Sequence, residues 1–195
     1  MKERSKDTVL EVGGVKAKAL GAAAQILSTR GAEALSLRAI AESAGIGLAS
    51  IYHYFANKDE LLVSLAVNGF AELQADIVRY QVMPEHLPAM RASARAFFAF
   101  AQNRPALFSL MFNERLMAGH EVLREAEKKT LLTYQAAVET DDRIPPQHRA
   151  NAAFALWALG RGMAAILSPY PHGAQPPELI ESLFAGASYL INHPE

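Results

Sequence analysis

Apolar residues recur along this chain with the period of an α-helix from one end to the other. Ala19, Ala22, Ala23, Ile26 and Leu27 share one face of a helix expected over about residues 15–30. Gly31 closes it, because a residue without Cβ takes the left-handed cap conformation at no steric cost. Ser36 reads as the N-cap of a second helix, in which Leu37, Ile40, Ala41 and Ala44 repeat the spacing i, i+3, i+4, i+7. Longer helices are expected over residues 58–82, 85–103, 106–112 and 120–139. The TDDRIPP stretch, Thr140 to Pro146, reads as a loop, followed by a helix to about residue 167. A proline-rich linker from Ser168 to Pro177 precedes a last helix, whose stripe is the broadest in the chain: Leu179, Ile180, Leu183, Phe184, Ala187, Leu190 and Ile191. This adds up to about nine helices with no hairpin signal, an all-α chain. It divides into an N-terminal helix-turn-helix domain over residues 1–57 and a helical body over residues 58–195.

Residues 36–62 carry the functional signal. After the helix beginning at Leu37, Gly45 permits a sharp turn and Ile46 is an apolar plug that pins it. A second short helix follows, with Ile51, Tyr52 and Phe55 expected inward. Two short helices joined by a glycine turn form the unit whose second helix enters a major groove. The outward residues are then Leu48, Ala49, Ser50, His53 and Tyr54. Ser50 can exchange a hydrogen bond with a base edge, and Leu48 or Ala49 can pack on a thymine methyl. Arg38 fits a phosphate or a guanine, Tyr54 can reach phosphate through its hydroxyl, and Lys58 is a further phosphate candidate.

The 195 residues are 51% hydrophobic, enough for a sizeable core. Net charge is only −1, but residues 1–58 hold eight Lys/Arg against five Asp/Glu. A mildly basic head on an acidic body suits a module that meets phosphate with one end. Lys2, Arg4 and Lys6 read as a basic arm ahead of the first helix. The chain has no cysteine, which excludes disulfides and thiolate metal sites and fits a reducing cytoplasm. The opening MKERSKDTVLEV lacks the apolar run of a secretory signal, and no long uninterrupted apolar stretch marks a membrane span.

This segment resembles the DNA-binding domain of the TetR family of bacterial regulators. The resemblance rests on S-L-R-x-I-A-x-x-A-G from Ser36 to Gly45, I-Y-H-Y-F from Ile51 to Phe55, and K-D-E-L-L from Lys58 to Leu62. It implies a dimer on a palindromic double-stranded DNA operator, most often as a repressor, released by a small-molecule inducer held in the C-terminal part. It also implies that Arg38, Gly47, Leu48, Ala49, Ser50, His53, Tyr54 and Lys58 lie near DNA, and Ser36, the N-cap of the first helix of the pair, is counted with them as a DNA-binding residue. Leu48 departs from the proline or polar residue common at its position. That thins polar base reading and puts weight on methyl packing and DNA shape.

Arg91 to Phe112 and Leu156 to Gly162 resemble C-terminal domains of one branch of the same family. Phe98, Phe108, Met111, Phe112 and Trp157 supply adaptable apolar surface for an inducer expected to be largely apolar. Arg161, four residues after Trp157, is placed either to anchor an anionic ligand group or to form a salt bridge. The last two helices, with Gly160, Ala164 and Ala187 permitting close packing, are the expected homodimer interface. The six histidines (His53, His86, His120, His148, His172 and His193) have no metal-ligand spacing, and no nucleotide or nucleophile motif occurs. Neither metal nor cofactor is therefore expected. An enzyme has least support, and a helical ligand- or protein-binding adaptor without DNA binding is the alternative.

Overall fold

The computed structural model describes residues 4–84, 87–168, 170 and 174–192, with side chains between residues 14 and 189. Among the described residues the chain forms ten α-helices and two short 3-10 turns, and no strand. The helices are α1 (Arg4–Arg30), α2 (Leu37–Ala44), α3 (Leu48–Tyr54), α4 (Lys58–Gln81) and α5 (Ala89–Asn103). They continue as α6 (Pro105–Met111), α7 (Glu114–Gly119), α8 (Glu121–Val138), α9 (Arg149–Leu167) and α10 (Pro177–Asn192).

Three boundaries differ from the periodic reading. Helix α1 starts at Arg4 rather than near Val15, so Arg4 and Lys6 belong to a helix and not to an arm; Lys2 lies outside the described residues. The apolar stripe does begin at Ala19, but no proline interrupts the polar stretch before it. Two adjacent glycines weaken a helix without breaking it. Helix α5 starts at Ala89 behind Pro88, later than residue 85, because the residue before a proline is steered away from helix. Helix α7 was not expected. It is six residues long and capped by the Asn113 side chain, which accepts from the Leu116 N–H at 3.1 Å.

The chain separates into two compact units. One takes in the chain up to Gly69 together with Ala106–Arg124; the other takes in Phe70–Pro105 and the chain from Glu125 onward. This division differs from a single cut at residue 57: the first half of α4 and the α6–α7 segment go with the head. In that first unit α1, α2 and α3 pack on one another. Ala19, Ala23, Ile26, Leu35, Ile40, Ile51, Phe55, Leu61 and Leu65 are buried there. Gly69 is needed in the same unit because a Cβ would sit 2.7 Å from the Met111 Sδ.

The second unit packs α5 on α9. Its aromatic centre sets the Phe97 ring edge-on to Trp157, centroids 5.1 Å apart, with Tyr134 6.1 Å from the Trp157 ring. Burial pushes the Tyr134 hydroxyl up to about 12. Helices α4 and α9 are long and apolar enough, by length and composition, to cross a membrane. That apolar character arises without an uninterrupted run. Half of the α4 window is buried inside the fold, against 28% for the Pro146–Leu167 window.

Candidate nucleic-acid interface

Helix α2 is fixed at both ends. The Ser36 hydroxyl accepts from the Ala39 N–H at 3.1 Å, the capping role its position implied. At the other end Gly45 lies in the left-handed region (φ 63°, ψ 36°), the Ile46 N–H donates to the Ala41 carbonyl at 2.9 Å, and the Gly45 N–H donates to that of Glu42. This pair of bonds satisfies carbonyls that the helix end would leave open, and it turns the chain sharply. Leu37, Ile40 and Ala41 are buried while Ala44 is half-buried, so the stripe faces the core as its spacing requires.

Helix α3 begins after Gly47, whose carbonyl accepts from the Ser50 and Ile51 N–H groups. Ile51 is fully buried, Phe55 just beyond the helix is buried too, and these two residues hold the helix down. Leu48, Ala49, Ser50, Tyr52 and His53 are exposed, while Tyr54 is half-buried with its ring against those of His53 and Phe55. Tyr52 is a correction. Its side chain is 56% exposed rather than inward. Successive helical residues are about 100° apart, so Ile51 and Phe55 share a face and Tyr52 cannot join them.

The two basic candidates are differently placed. Arg38 is exposed on the first turn of α2 and pairs with Glu42 through Nε at 3.0 Å. A pair this open to water contributes little and can exchange for another anion. The Lys58 ammonium instead donates to the Ala32 carbonyl at 3.0 Å, tying the start of α4 to the turn that follows α1. Beside it the Asn57 side chain accepts from the Glu60 N–H, and the Glu60 carboxylate accepts from the Ala56 N–H, each at 2.9 Å. The acidic first turn of α4 thus completes its own cap. The surface formed by α2 and α3 is poor in charge, since Arg38 and Glu42 are the only Lys, Arg, Asp or Glu residues between Ser36 and Phe55.

Within the same unit Asp59 accepts two bonds from the Arg115 guanidinium, at 2.9 and 3.0 Å. That contact, more than the nearby His120 and Lys58 charges, holds the Asp59 carboxyl below the usual carboxylate range. Asp141 in the other unit is lowered likewise by Arg143. A carboxyl whose pKa falls on folding stabilises fully above its unfolded value and loses that contribution as pH drops through its folded one. The thermal midpoint should therefore fall below about pH 4, and Asp59→Asn should flatten part of that acid limb. An unchanged limb in Asp59→Asn would refute the assignment.

The candidate ligand residues are divided between the two units. Phe98, Trp157 and Arg161 lie in the second unit, Phe108, Met111 and Phe112 in the first. Phe108 and Phe112 pack ring against ring at 4.8 Å. Arg161 and the Trp157 indole N–H both donate to the Glu127 Oε1 at 3.1 Å. The crevice between Phe98 and Trp157 measures about 30 Å³, room for one water. Among the described residues no cluster of His, Asp and Glu side chains could hold a metal ion.

Two family profiles match this sequence: bacterial regulatory proteins of the tetR family over residues 19–65, and the tetracyclin repressor-like C-terminal domain over residues 90–185. The chain belongs to the TetR family. That places it among DNA-binding regulators of transcription rather than enzymes. The HTH-type transcriptional regulator Rv1816 of Mycobacterium tuberculosis is 30% identical over 109 residues, which cover 54% of this TetR-family chain and 47% of that relative. The chain thus spans about half the length of the curated relatives it matches. A protein with unknown function from Rhodococcus sp. RHA1 superposes with a TM-score of 0.74 at 24% identity, covering 90% of this chain and 93% of the other. The TetR-family regulator PfmR of Thermus thermophilus superposes with a TM-score of 0.60 at 18% identity, over 91% and 98% of the two chains. At these identities the two structures speak to the fold.

Proposed function

We propose that this chain is a ligand-responsive cytoplasmic repressor that binds a palindromic operator as a homodimer and leaves it when a small molecule enters the C-terminal part. The observation that carries this reading is α3, held by buried Ile51 and Phe55 and exposed along Leu48, Ala49, Ser50, Tyr52 and His53. Ser50 and His53 meet base edges, Leu48 and Ala49 pack on thymine methyls, and Gly47 lets the backbone approach. Tyr52, Tyr54 and Arg38 contact phosphate; Lys58, with one of its three donors on Ala32, retains two for the same purpose.

Dimerisation through α9 and α10 is supported by the apolar side chains they leave exposed, Phe154, Ile166, Phe184 and Tyr189. A stable monomer at micromolar concentration in light scattering would rule this out. The functional test is a gel shift with DNA upstream of the chain's own gene. Salt-sensitive binding to a palindrome is expected there; its absence would favour an adaptor without DNA binding. Tyr52→Phe and Arg38→Ala should weaken binding to all sequences by about tenfold or less, whereas Ser50→Ala should change base preference.

A further inference from the structure

Helix α8 presents two faces. Leu123, Thr130, Tyr134, Ala137 and Val138 are buried on one of them. Val122, Glu125, Lys129, Leu132 and Ala136 are exposed on the other. These five recur at intervals of three, four, three and four residues, the spacing of a seam that meets a second helix. They lie on one unbroken helix, whose own geometry sets their spacing. Val122 is 56% exposed and Leu132 53%. One exposed apolar residue needs no explanation, but two that bracket a charged stripe form a pattern.

The charged side chains of α8 divide in the same way. Arg124 donates to the Met117 and Ala118 carbonyls, and Glu127 accepts from Trp157 and Arg161. Glu125 and Lys129 stand about one turn apart in the exposed stripe, with Glu121 and Lys128 flanking it. Among the described residues neither the Glu125 nor the Lys129 side chain has an ion-pair or hydrogen-bond partner.

The order of the stripe is self-complementary. Val122 and Leu132 lie five positions before and after Glu127, and Glu125 and Lys129 lie two positions before and after it. A two-fold axis level with Glu127 therefore sets Val122 against Leu132 and Glu125 against Lys129, each contact occurring twice. A parallel arrangement in register would set each charge against its own kind.

We propose that this face pairs antiparallel with the same face of a second copy of the chain. Apolar contacts at the two ends and opposite charges between them fix direction and register. The ion pairs stay open to water and the contact is narrow, so the pairing is weak, on the order of 10–100 μM. It uses residues other than those of α9 and α10. A chain that uses both faces assembles beyond a dimer.

Sedimentation equilibrium on the full chain, over about 1–200 μM, tests the pairing. Glu125→Lys or Lys129→Glu alone sets like charges together and should weaken self-association by about tenfold. Both changes in one chain restore opposite pairs and should return the association to within about threefold of the parent. The two positions are exposed, so the unfolding midpoints should not move. The chain has no cysteine, so Val122→Cys and Leu132→Cys chains of different mass can be mixed and treated with a short bis-maleimide. Cross-links should join the two different chains, with little linking of either chain to its own kind. No association step that responds to Glu125 and Lys129, a double variant as weak as the single ones, or Val122→Cys linking to itself as readily as to Leu132→Cys would overturn the pairing. Neither measurement uses DNA, so the result is independent of whether the chain is a repressor.

Discussion

Phe55→Ala is expected to cost the chain about 3–5 kcal/mol of stability and, with it, DNA binding. Phe55 is 1% exposed and follows directly on α3, where its N–H donates to the Ile51 carbonyl at 3.0 Å. It is among the largest fully buried side chains of the first unit, in which Leu35, Ile40, Ile51 and Leu61 are buried as well. Truncation therefore removes a ring's worth of transfer energy and leaves a cavity in a small core. Typical domains are stable by only 5–15 kcal/mol, so a loss of that size is a large fraction of the whole. Urea unfolding would measure it, and amide exchange in α1–α3 would locate it. Phe55→Leu, which refills most of the space, should cost markedly less. A loss under about 1 kcal/mol in Phe55→Ala would mean that the core closes over the gap and does not depend on this ring.

Trp157→Ala should be comparably severe, about 3–5 kcal/mol, and should act on the second unit. The indole is 4% exposed, with the Phe97 ring edge-on at 5.1 Å and Tyr134 on another side. It also donates to Glu127, which has Arg161 as its other donor. Truncation thus combines a cavity with a weakened carboxylate site. Trp157→Phe is the intermediate case, since it keeps a six-membered aromatic ring but removes the N–H together with the volume of the five-membered ring. It should cost about 2–3 kcal/mol, a lost bond to a charged acceptor plus a smaller cavity. If the two variants were equally stable, packing would not be the main contribution of this side chain. Comparing exchange rates in α1–α3 and α5–α9 for Phe55→Ala and Trp157→Ala would show how independently the two units open.

Much of this fold is legible in the sequence because long helices repeat their apolar spacing often enough to be recognised. Ser36 and Gly45 were legible for a different reason: an N-cap hydroxyl and a left-handed residue are each demanded by local backbone geometry. Short elements defeat the same method. Helix α7 buries only Leu116, so it has no period to detect, and its sole sequence signal is Asn113 as a cap. Tyr52 was misplaced because apolar character outweighed helical phase in a seven-residue helix. The charge of Lys58 and its place at a helix start mark a phosphate candidate, but not the second partner that the structure gives it. Its bond to Ala32 spans 26 positions, and no local pattern reports a contact at that separation. The candidate ligand residues are divided between the two units for a related reason. Aromatic and methionine side chains mark both cores alike, and the chain crosses between them at Gly69, Pro105 and Arg124.

The position of α6 and α7 has a practical consequence for transplanting the DNA-binding part. A fragment ending at residue 57 would lack the helix whose Asp59 is gripped by Arg115, and one ending at Gly69 would lose Met111 from above that glycine. The DNA-binding unit is not a contiguous cassette. To graft it onto a foreign body, an engineer must move two pieces, the chain through Gly69 and Ala106–Arg124, and supply a host that holds both ends of the second piece.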